Sequence, residues 1–259
     1  MKDIEIWYGD CLELMDNIPD KSVDMIFSDL PYATTQNSLD CMIVLNELWK
    51  QYKRVIKKNG CIALWAQAPF SHVLALSNIK QYKYEWIIEK TKGTGHLNAK
   101  KMPMKTHENV MIFSDLDESP ETIQIFYGKL PTYNPQMTDG HEPVHSYTKH
   151  TTDGSCYGDT KIGISGGGST KRYPRDVLQF KWDTQKSSLH PTQKPLVACE
   201  YFIKTYTNEG DTVLDSTAGS MTTGVAAIRT DRKCICIEND KEIFNVGKNR
   251  IMECVKEKK

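Results

Sequence analysis

The 259-residue sequence lacks any apolar run approaching the 18 or more residues of a membrane-spanning helix. Residues 1–5 show no basic segment followed by an apolar one, so a secretory signal is not expected. No CxxC pair occurs among the eight cysteines, which are expected to be reduced, buried and apolar in character. These absences predict a cytoplasmic protein with neither a membrane span nor a metal site.

An excess of charge is also lacking, because 33 basic residues balance 33 acidic ones. Two segments are nevertheless basic. Residues 80–105 hold seven Lys and two Glu, and residues 161–186 hold six Lys or Arg and two Asp. These segments could form one surface for a polyanion. The alternative is an ordinary solvated surface, and charge alone does not decide between the two.

Six short runs of β-branched and aromatic residues predict strands at 23–27, 61–65, 85–89, 110–113, 212–215 and 234–237. Because these runs are almost continuously apolar, the strands are expected to be buried on both faces of a parallel sheet. Helical spacing of apolar residues predicts a helix over 39–55, ended by Asn59-Gly60, and another over 196–206 that Pro195 begins. The alternation indicates an α/β fold with a doubly wound, mostly parallel sheet.

Residues 115–185 interrupt the alternation of strands and helices. Five prolines and a triple Gly at 166–168 indicate loops, and loops on a rigid scaffold often carry recognition. We therefore expect a loop-rich recognition insertion at 115–185, between two halves of one sheet domain at 1–114 and 186–259.

The segment Ser28-Asp29-Leu30-Pro31-Tyr32, whose last four residues form a tetrad, follows the first of these predicted strands directly. Asp29 is thereby placed at the carboxyl end of a buried strand, where open α/β sheets bind ligands. Pro31 holds Leu30 extended, so that no helix consumes the Leu30 carbonyl. A carboxylate, a carbonyl and the Tyr32 ring suit an exocyclic amine on a heteroaromatic ring. The alternative is a strand-ending Asp in an ordinary proline turn.

Two further motifs suggest a nucleoside ligand. Residues 213–227 combine a strand, a turn of small residues and a helix, and Gly219 in the turn lets the backbone approach a ligand. Glu238, at the end of the next strand, fits a ribose hydroxyl. Residues 189–195 offer the Thr192 hydroxyl and the Lys194 ammonium to a small carboxylate. An ordinary βαβ crossover and a turn before a helix are the alternatives.

Together these motifs resemble the amino-methylating DNA methyltransferases of the permuted β group. In that group an Asp-Pro-Pro-Tyr element, a recognition insert, His-Pro-Thr-Gln-Lys-Pro and the cofactor loop occur in this order. The similarity spans nearly the whole chain apart from the insertion, and residues 190–195 match letter for letter. It implies a circularly permuted, Rossmann-like, S-adenosylmethionine-dependent methyltransferase, with the catalytic half at 1–114 and the cofactor-binding half at 186–259.

The resemblance assigns roles to individual residues. The catalytic residues would be Asp29, Leu30, Pro31 and Tyr32. The residues expected at the cofactor are Asp10, Cys11, Asp29, Thr192, Lys194, Asp215, Thr217, Ala218, Gly219, Ser220, Met221, Thr222, Glu238 and Asn239. The residues expected to contact DNA are Lys100, Lys101, Lys105, His107, Lys171, Arg172, Arg175 and Lys181. Residues 105–108 resemble the family's loop on the target-base side of the pocket.

Three departures from the family pattern occur, at four positions. Leu30 replaces a proline, which leaves the required backbone carbonyl in place. Ser216-Thr217 replace Pro-Phe in the cofactor loop, and Met221 replaces a glycine there. These two changes predict a smaller, more polar wall and a narrower cofactor pocket. They keep open the alternative of a catalytically impaired DNA-binding homologue.

The expected reaction is site-specific methyl transfer from S-adenosylmethionine to N6 of an adenine flipped out of double-stranded DNA. In the resembled group an Asp opening the tetrad favours adenine, and cytosine N4 is the alternative. Methylation of RNA or of a protein glutamine is a third possibility. The resemblance also implies a homodimer, a cognate restriction endonuclease in a restriction–modification system, and the cytoplasm of a prokaryotic cell or phage-infected host.

Overall fold

A computed structural model describes residues 3–31, 43–114, 131–148, 165–180 and 193–258. Two compact units are present, one formed by Met1–Asn134 with Asp176–Lys259 and the other by Pro135–Arg175. Three of the sequence-predicted site residues lie outside the described residues, namely Tyr32, Lys181 and Thr192, as does the neighbouring His190.

Strands and helices alternate along the described chain except between residues 94 and 177, where no α-helix is described. The strands are β1 Ile4–Tyr8, β2 Val23–Asp29, β3 Ile56–Ala66, β4 Tyr82–Thr94, β5 Lys105–Phe113, β6 Tyr147–Thr148, β7 Ser165–Gly166, β8 Val177–Phe180, β9 Thr212–Asp215 and β10 Lys233–Glu238. The helices are α1 Cys11–Leu14, α2 Leu45–Val55, α3 Phe70–Ser77, α4 Leu196–Tyr206, α5 Thr222–Arg229 and α6 Lys241–Glu257. All six predicted strands are present.

Eight strands form one sheet in the order β1-β10-β9-β2-β3-β5-β4-β8. Every neighbouring pair is parallel except the two that involve β5. Seven strands therefore share one direction, which confirms the mostly parallel sheet. The reversed β5 brings its amino end, with the residues that begin it, to the edge where the other strands have their carboxyl ends.

Both faces of the sheet are covered by a hydrophobic core. Along β2, Met25 and Phe27 pack on one face with residues of α4, α5 and α6. Ile26 packs on the other face with residues of α1, α2 and α3. Successive side chains of a strand point to opposite faces, so continuous apolar runs are needed here, and the doubly wound arrangement is confirmed.

The predicted helix over 39–55 has a different end from the one expected. Helix α2 ends at Val55 and β3 begins at the next residue, so Asn59-Gly60 lie inside the strand. A Cβ at Gly60 would lie 2.7 Å from the Ile56 side chain and 2.9 Å from the Asp24 carbonyl oxygen. The glycine therefore permits close approach of β2 and β3 rather than ending a helix. The helix over 196–206 is confirmed as α4.

The predicted insertion contains a strand of the main sheet. Strand β8 pairs in parallel with β4, from Ile87↔Val177 to Lys90↔Phe180. The separate unit Pro135–Arg175 lies within the interval 115–185 and holds the antiparallel pair β6 and β7. The division into three segments remains a proposal about function.

The small unit contains a sequence that resembles a metal-binding motif. Residues 141–145 read His-Glu-Pro-Val-His, the spacing of a zinc-binding helix. Pro143 disfavours a helix interior, and the segment is not helical. Within the described ranges, no group of three or more His, Cys, Asp or Glu side chains is placed to hold a metal ion. The same ranges contain no helix with the length and apolarity needed to span a membrane.

Candidate active site

The predicted catalytic tetrad begins where β2 ends. Asp29 is the last residue of β2, partly buried, and Leu30 is 3% exposed. The Thr217 hydroxyl donates to the Asp29 backbone carbonyl at 3.0 Å. Since Thr217 lies in the turn after β9, this bond joins the predicted catalytic corner to the predicted cofactor loop. The two motifs are 188 residues apart in sequence and adjacent in space.

Three buried charges meet the partly buried carboxylate of Asp29 beside this corner. Lys194 Nζ lies 2.8 Å from Asp29 Oδ2 and 3.1 Å from Glu108 Oε2. Lys90 Nζ lies 2.6 Å from Glu108 Oε1. Lys194 also stands over the Trp65 ring, 5.3 Å from its centroid. The side chains of Lys90, Glu108 and Lys194 are only 11–12% exposed, so this quartet of two cations and two carboxylates is formally neutral.

The quartet favours the charged forms of Lys194 and Glu108. Burial alone would lower the pKa of Lys194, but the carboxylates of Asp29 and Glu108 outweigh it and raise that pKa above its ordinary value. Burial alone would raise the pKa of Glu108, but Lys194 and Lys90 outweigh it and lower that pKa. Each charge therefore depends on its partners, because an isolated buried charge is costly.

The contacts of Lys194 in the structure are not the ones that the sequence predicts. The sequence predicts Lys194 at a ligand carboxylate, whereas the structure places its ammonium against Asp29 and Glu108. The cofactor role stays a prediction. Lys90 and its pairing with Glu108 carried no signal in the sequence, because the pairing depends on the reversed direction of β5 next to β4.

The predicted cofactor loop lies between β9 and α5. Gly219 has φ +51°, and a Cβ added there would meet nothing within 4 Å. The Gly219 N–H donates to Glu238 Oε2 at 2.7 Å, and the Asp240 N–H donates to Glu238 Oε1 at 2.8 Å. Glu238 thus shapes the loop with one lone pair of each oxygen, and each carboxylate oxygen can accept a further hydrogen bond.

Residues of the first strand complete the same edge. Strand β1 pairs with β10 in the register Tyr8↔Glu238, which brings Asp10 and Cys11 next to the Glu238 strand end. Asp10 Oδ1 caps α1 by accepting from the Leu12 N–H at 2.8 Å. Cys11 is buried, and burial raises the pKa of its thiol to about 12. Cys11 is therefore an apolar neighbour of the site rather than a nucleophile.

Ser216 has a structural role that the sequence did not reveal. Its hydroxyl lies 2.6 Å from the Tyr52 hydroxyl, and its N–H donates to Ser28 Oγ at 3.0 Å. Ser216 is 2% exposed, so these bonds satisfy buried polar groups. The departure from the family's Pro-Phe therefore ties the cofactor loop to β2 and α2.

Met221 also finds space in the core. It is fully buried and has φ +58°, a left-handed conformation that costs a non-glycine residue about 1 kcal/mol. A Cβ at Gly247 of α6 would lie 2.7 Å from Met221 Cγ and 3.0 Å from the Gly219 carbonyl oxygen. The glycine in α6 thus makes room for the methionine. Arg250 of the same helix donates to the Ser220 carbonyl at 3.0 Å and to the Thr222 hydroxyl at 2.8 Å.

Asp215 is the buried acid of the loop. It is 4% exposed, and burial raises its pKa to about 7, against the lowering effect of hydrogen bonds from Thr223 and the Thr217 N–H. A carboxylate of this kind gains most from a nearby cation, which would restore its charge.

The predicted DNA contacts fall into two groups. Lys100, Lys101, Lys105 and His107 are exposed on the β4–β5 hairpin. In the separate small unit, Lys171 and Arg175 are exposed, whereas Arg172 donates to the Ser169, Lys171 and Glu142 carbonyls. Arg172 therefore braces the small unit.

Comparison with known proteins agrees with this geometry. A model of the N6/N4 DNA methylase family matches residues 23–249. The chain is 29% identical over 265 residues to the DNA adenine methyltransferase YhdJ of Escherichia coli, covering 95% of this chain and 82% of the relative. It is 25% identical over 265 residues to the type II methyltransferase M2.MboI of Moraxella bovis, covering 97% and 89%.

The fold likewise matches a solved structure, the M1.HpyAVI–SAM complex, with a TM-score of 0.59 at 19% identity, covering 96% of this chain and 98% of the other. The Rossmann-like methyltransferase fold is confirmed. Since the family model covers most of the sequence, the interpretation as a DNA methyltransferase is confirmed as well, with S-adenosylmethionine as the methyl donor of its class. The chain belongs to the N6/N4 DNA methylase family.

Proposed function

We propose that this DNA methylase transfers a methyl group from S-adenosylmethionine to the exocyclic N6 of adenine in double-stranded DNA. The observation that carries the proposal is the contact between the catalytic corner and the cofactor loop, through the Thr217 hydroxyl and the Asp29 carbonyl. This contact brings Asp29, whose carboxylate can accept an amine hydrogen, next to the loop proposed to bind the methyl donor.

The catalytic corner acts on the amine of a flipped base. Flipping costs a few kcal/mol of stacking and pairing, and stacking on Tyr32 would recover about 1–3 kcal/mol. The Asp29 carboxylate and the Leu30 carbonyl accept the two amine hydrogens and so expose the nitrogen lone pair. As the new N–C bond forms and the S–CH3 bond of the donor breaks, the nitrogen becomes cationic and loses one proton. Asp29 accepts this proton, and Lys194, 2.8 Å away, holds the carboxylate in position.

The residues around the loop fit the methyl donor. The open space at Gly219 admits a ligand close to the backbone, Glu238 has acceptor capacity for ribose hydroxyls, and Asp10 lies at the neighbouring strand end for the adenine. Asp215 suits the α-ammonium, and Thr192 and Lys194 are proposed for the carboxylate. Bound there, the donor supplies a methyl group on a positively charged sulfur, so alignment accounts for most of the acceleration.

Adenine is proposed over cytosine. One relative is named a DNA adenine methyltransferase, and the tetrad opens with Asp29 as in adenine-specific members of the group. The test is nucleoside analysis of DNA incubated with the enzyme and labelled S-adenosylmethionine. N6-methyladenine is expected, and N4-methylcytosine would reverse the assignment.

A catalytically impaired homologue is the second candidate, motivated by Ser216, Thr217 and Met221. The structure accommodates Ser216 and Met221 in buried positions, which argues against impairment. Calorimetric titration with S-adenosylmethionine separates the two, since an impaired homologue would show no heat at millimolar ligand. Transfer of label to duplex DNA, compared with RNA or a glutamine peptide, tests the substrate class.

The assembly and biological setting belong to the same proposal. We propose a homodimer, a cognate restriction endonuclease and a prokaryotic cytoplasm or phage-infected host as the setting. The support is the resemblance together with a relative named a type II methyltransferase. Sedimentation of the purified chain, with and without duplex DNA, tests the dimer.

A further inference from the structure

The hairpin between β4 and β5 has an unusual distribution of charge. Residues 90–107 contain five Lys and two His and no Asp or Glu, in a chain whose formal net charge is zero. A segment of this kind is attracted to a phosphate backbone. We call residues 92–105 the basic hairpin.

The tip of the basic hairpin exposes apolar side chains. Leu97 is 100% exposed and Met102 is 54% exposed. Covering an exposed leucine side chain with a partner removes apolar surface from water, which is favourable. Single exposed apolar residues are nevertheless common on protein surfaces. Here the exposed leucine lies within a basic segment, and this combination favours a partner that is both negatively charged and able to cover an apolar side chain.

The tip is ordered rather than loose. Gly95 has φ +93° and turns the chain. The Asn98 N–H then donates to the Gly95 carbonyl at 2.9 Å, and the Lys101 N–H donates to the Asn98 carbonyl at 2.8 Å. Leu97 sits on this 3-10 turn. It is therefore presented on a preformed support, which lowers the entropy cost of inserting it into a partner.

The base of the hairpin is tied to the catalytic edge. The Gln67 side chain, just after β3, donates to the His107 carbonyl at 3.1 Å, and Lys105 Nζ donates to Gln67 Oε1 at 3.3 Å. Glu108, the next residue of β5, shares Lys194 with Asp29. The exposed leucine thus lies on a short, supported extension of the edge that holds the catalytic carboxylate.

We propose that the basic hairpin binds the duplex through its lysines and that Leu97 inserts between base pairs to help expel the target adenine. Apolar side chains of this size unstack base steps in proteins that bend DNA. A second copy of this chain fits the patch less well, because two such hairpins would oppose four lysines to four. The proposal rests on the proposed function, since it requires DNA as the substrate.

The test compares two synthetic duplexes that contain the methylation site, once it has been mapped with the wild-type enzyme. In one duplex the target adenine is paired with thymine, and in the other it faces an abasic position, so that expulsion costs less. Leu97→Ala is expected to lower kcat/KM on the paired duplex about tenfold or more, since unstacking one step costs a few kcal/mol. On the abasic duplex its activity is expected to approach that of the wild type.

Leu76→Ala is the matched control. Leu76 is 73% exposed and lies at the carboxyl end of α3, and this variant is expected to match the wild type on both duplexes. A combined Lys100→Gln and Lys101→Gln variant is expected to raise KM on both duplexes and to weaken the dependence of binding on salt.

The possible failures are distinguishable. Wild-type rates for Leu97→Ala on the paired duplex, or an equal loss on both duplexes, would overturn the insertion while leaving the proposed function intact. A change of oligomeric state in Leu97→Ala, measured by sedimentation, would assign the leucine to a second copy. Absence of transfer by the wild type to any DNA would instead remove the proposed function.

Discussion

Replacing Asp215 by asparagine should make the protein more stable at neutral and alkaline pH. The native state keeps the Asp215 proton up to about pH 7, whereas the ordinary pKa of an aspartate is 3.8. A raised native pKa stabilises the fold at low pH, and this contribution is lost as the pH rises through the native value. Above pH 7 the wild type therefore carries a buried charge that Asp215→Asn lacks.

The size of the effect follows from the shift. A difference of about three pKa units at about 1.4 kcal/mol per unit gives about 4 kcal/mol. The free energy of unfolding of the variant, relative to the wild type, should rise by about this amount between pH 4 and pH 8. Loss of the carboxylate's hydrogen bonds from Thr223 and the Thr217 N–H adds a constant to the difference in free energy of unfolding between the two proteins. It does not change how that difference varies with pH.

The assay is urea unfolding of both proteins at several pH values, with Asp3→Asn as the control. Asp3 has a side chain that is 62% exposed, so its replacement should leave the pH dependence unchanged. The reasoning is refuted if the difference between the wild type and Asp215→Asn varies by less than about 1 kcal/mol, one pKa unit, over this range. The same variant should bind S-adenosylmethionine more weakly, because the proposed partner of the α-ammonium is gone.

Three further substitutions test the packing around the site. Glu108→Gln removes one of the two carboxylates paired with Lys194 and should cost about 3 kcal/mol of stability and lower kcat, with S-adenosylmethionine affinity retained in calorimetry. Ser216→Ala leaves the buried Tyr52 hydroxyl without its 2.6 Å partner, and urea unfolding should show a loss of about 1–3 kcal/mol. Gly247→Ala forces a Cβ against Met221 and the Gly219 carbonyl. It should destabilise by about 1–3 kcal/mol and raise the KM for the methyl donor, and unchanged values of both would contradict the packing described.

The main elements of the fold could be predicted because their local signals agree. Buried strands such as 212–215 are continuously apolar, and Pro195 starts α4 where expected. The direction of β5 could not be predicted, since a continuous apolar run reads the same in either direction. Gly60 resembled a helix end because the close approach to the Asp24 carbonyl oxygen that favours a glycine there is formed only after β2 and β3 pair.

The candidate site also contains residues that the sequence could locate and contacts that it could not. Asp29 and Glu238 could be located because each directly follows or ends a recognisable strand. The pairing of Lys194 with Asp29 and Glu108 joins three distant segments, and its geometry depends on the order of strands in the sheet. The roles of Ser216 and Met221 depend on the partners Tyr52 and Gly247, which no local pattern connects to them.

The central claim is that the Asp29 carboxylate grips the amine of the target base, and Asp29→Asn tests it most directly. The substitution keeps the backbone carbonyl that Thr217 contacts, and Lys194 keeps Glu108 as a partner, so the fold and the cofactor loop should survive. Single-turnover methyl transfer to DNA should fall by about 100-fold or more, because the neutral amide neither takes up the amine proton nor stabilises the developing positive charge as the carboxylate does, while calorimetry shows nearly unchanged affinity for S-adenosylmethionine. Near-normal transfer by Asp29→Asn would contradict the account.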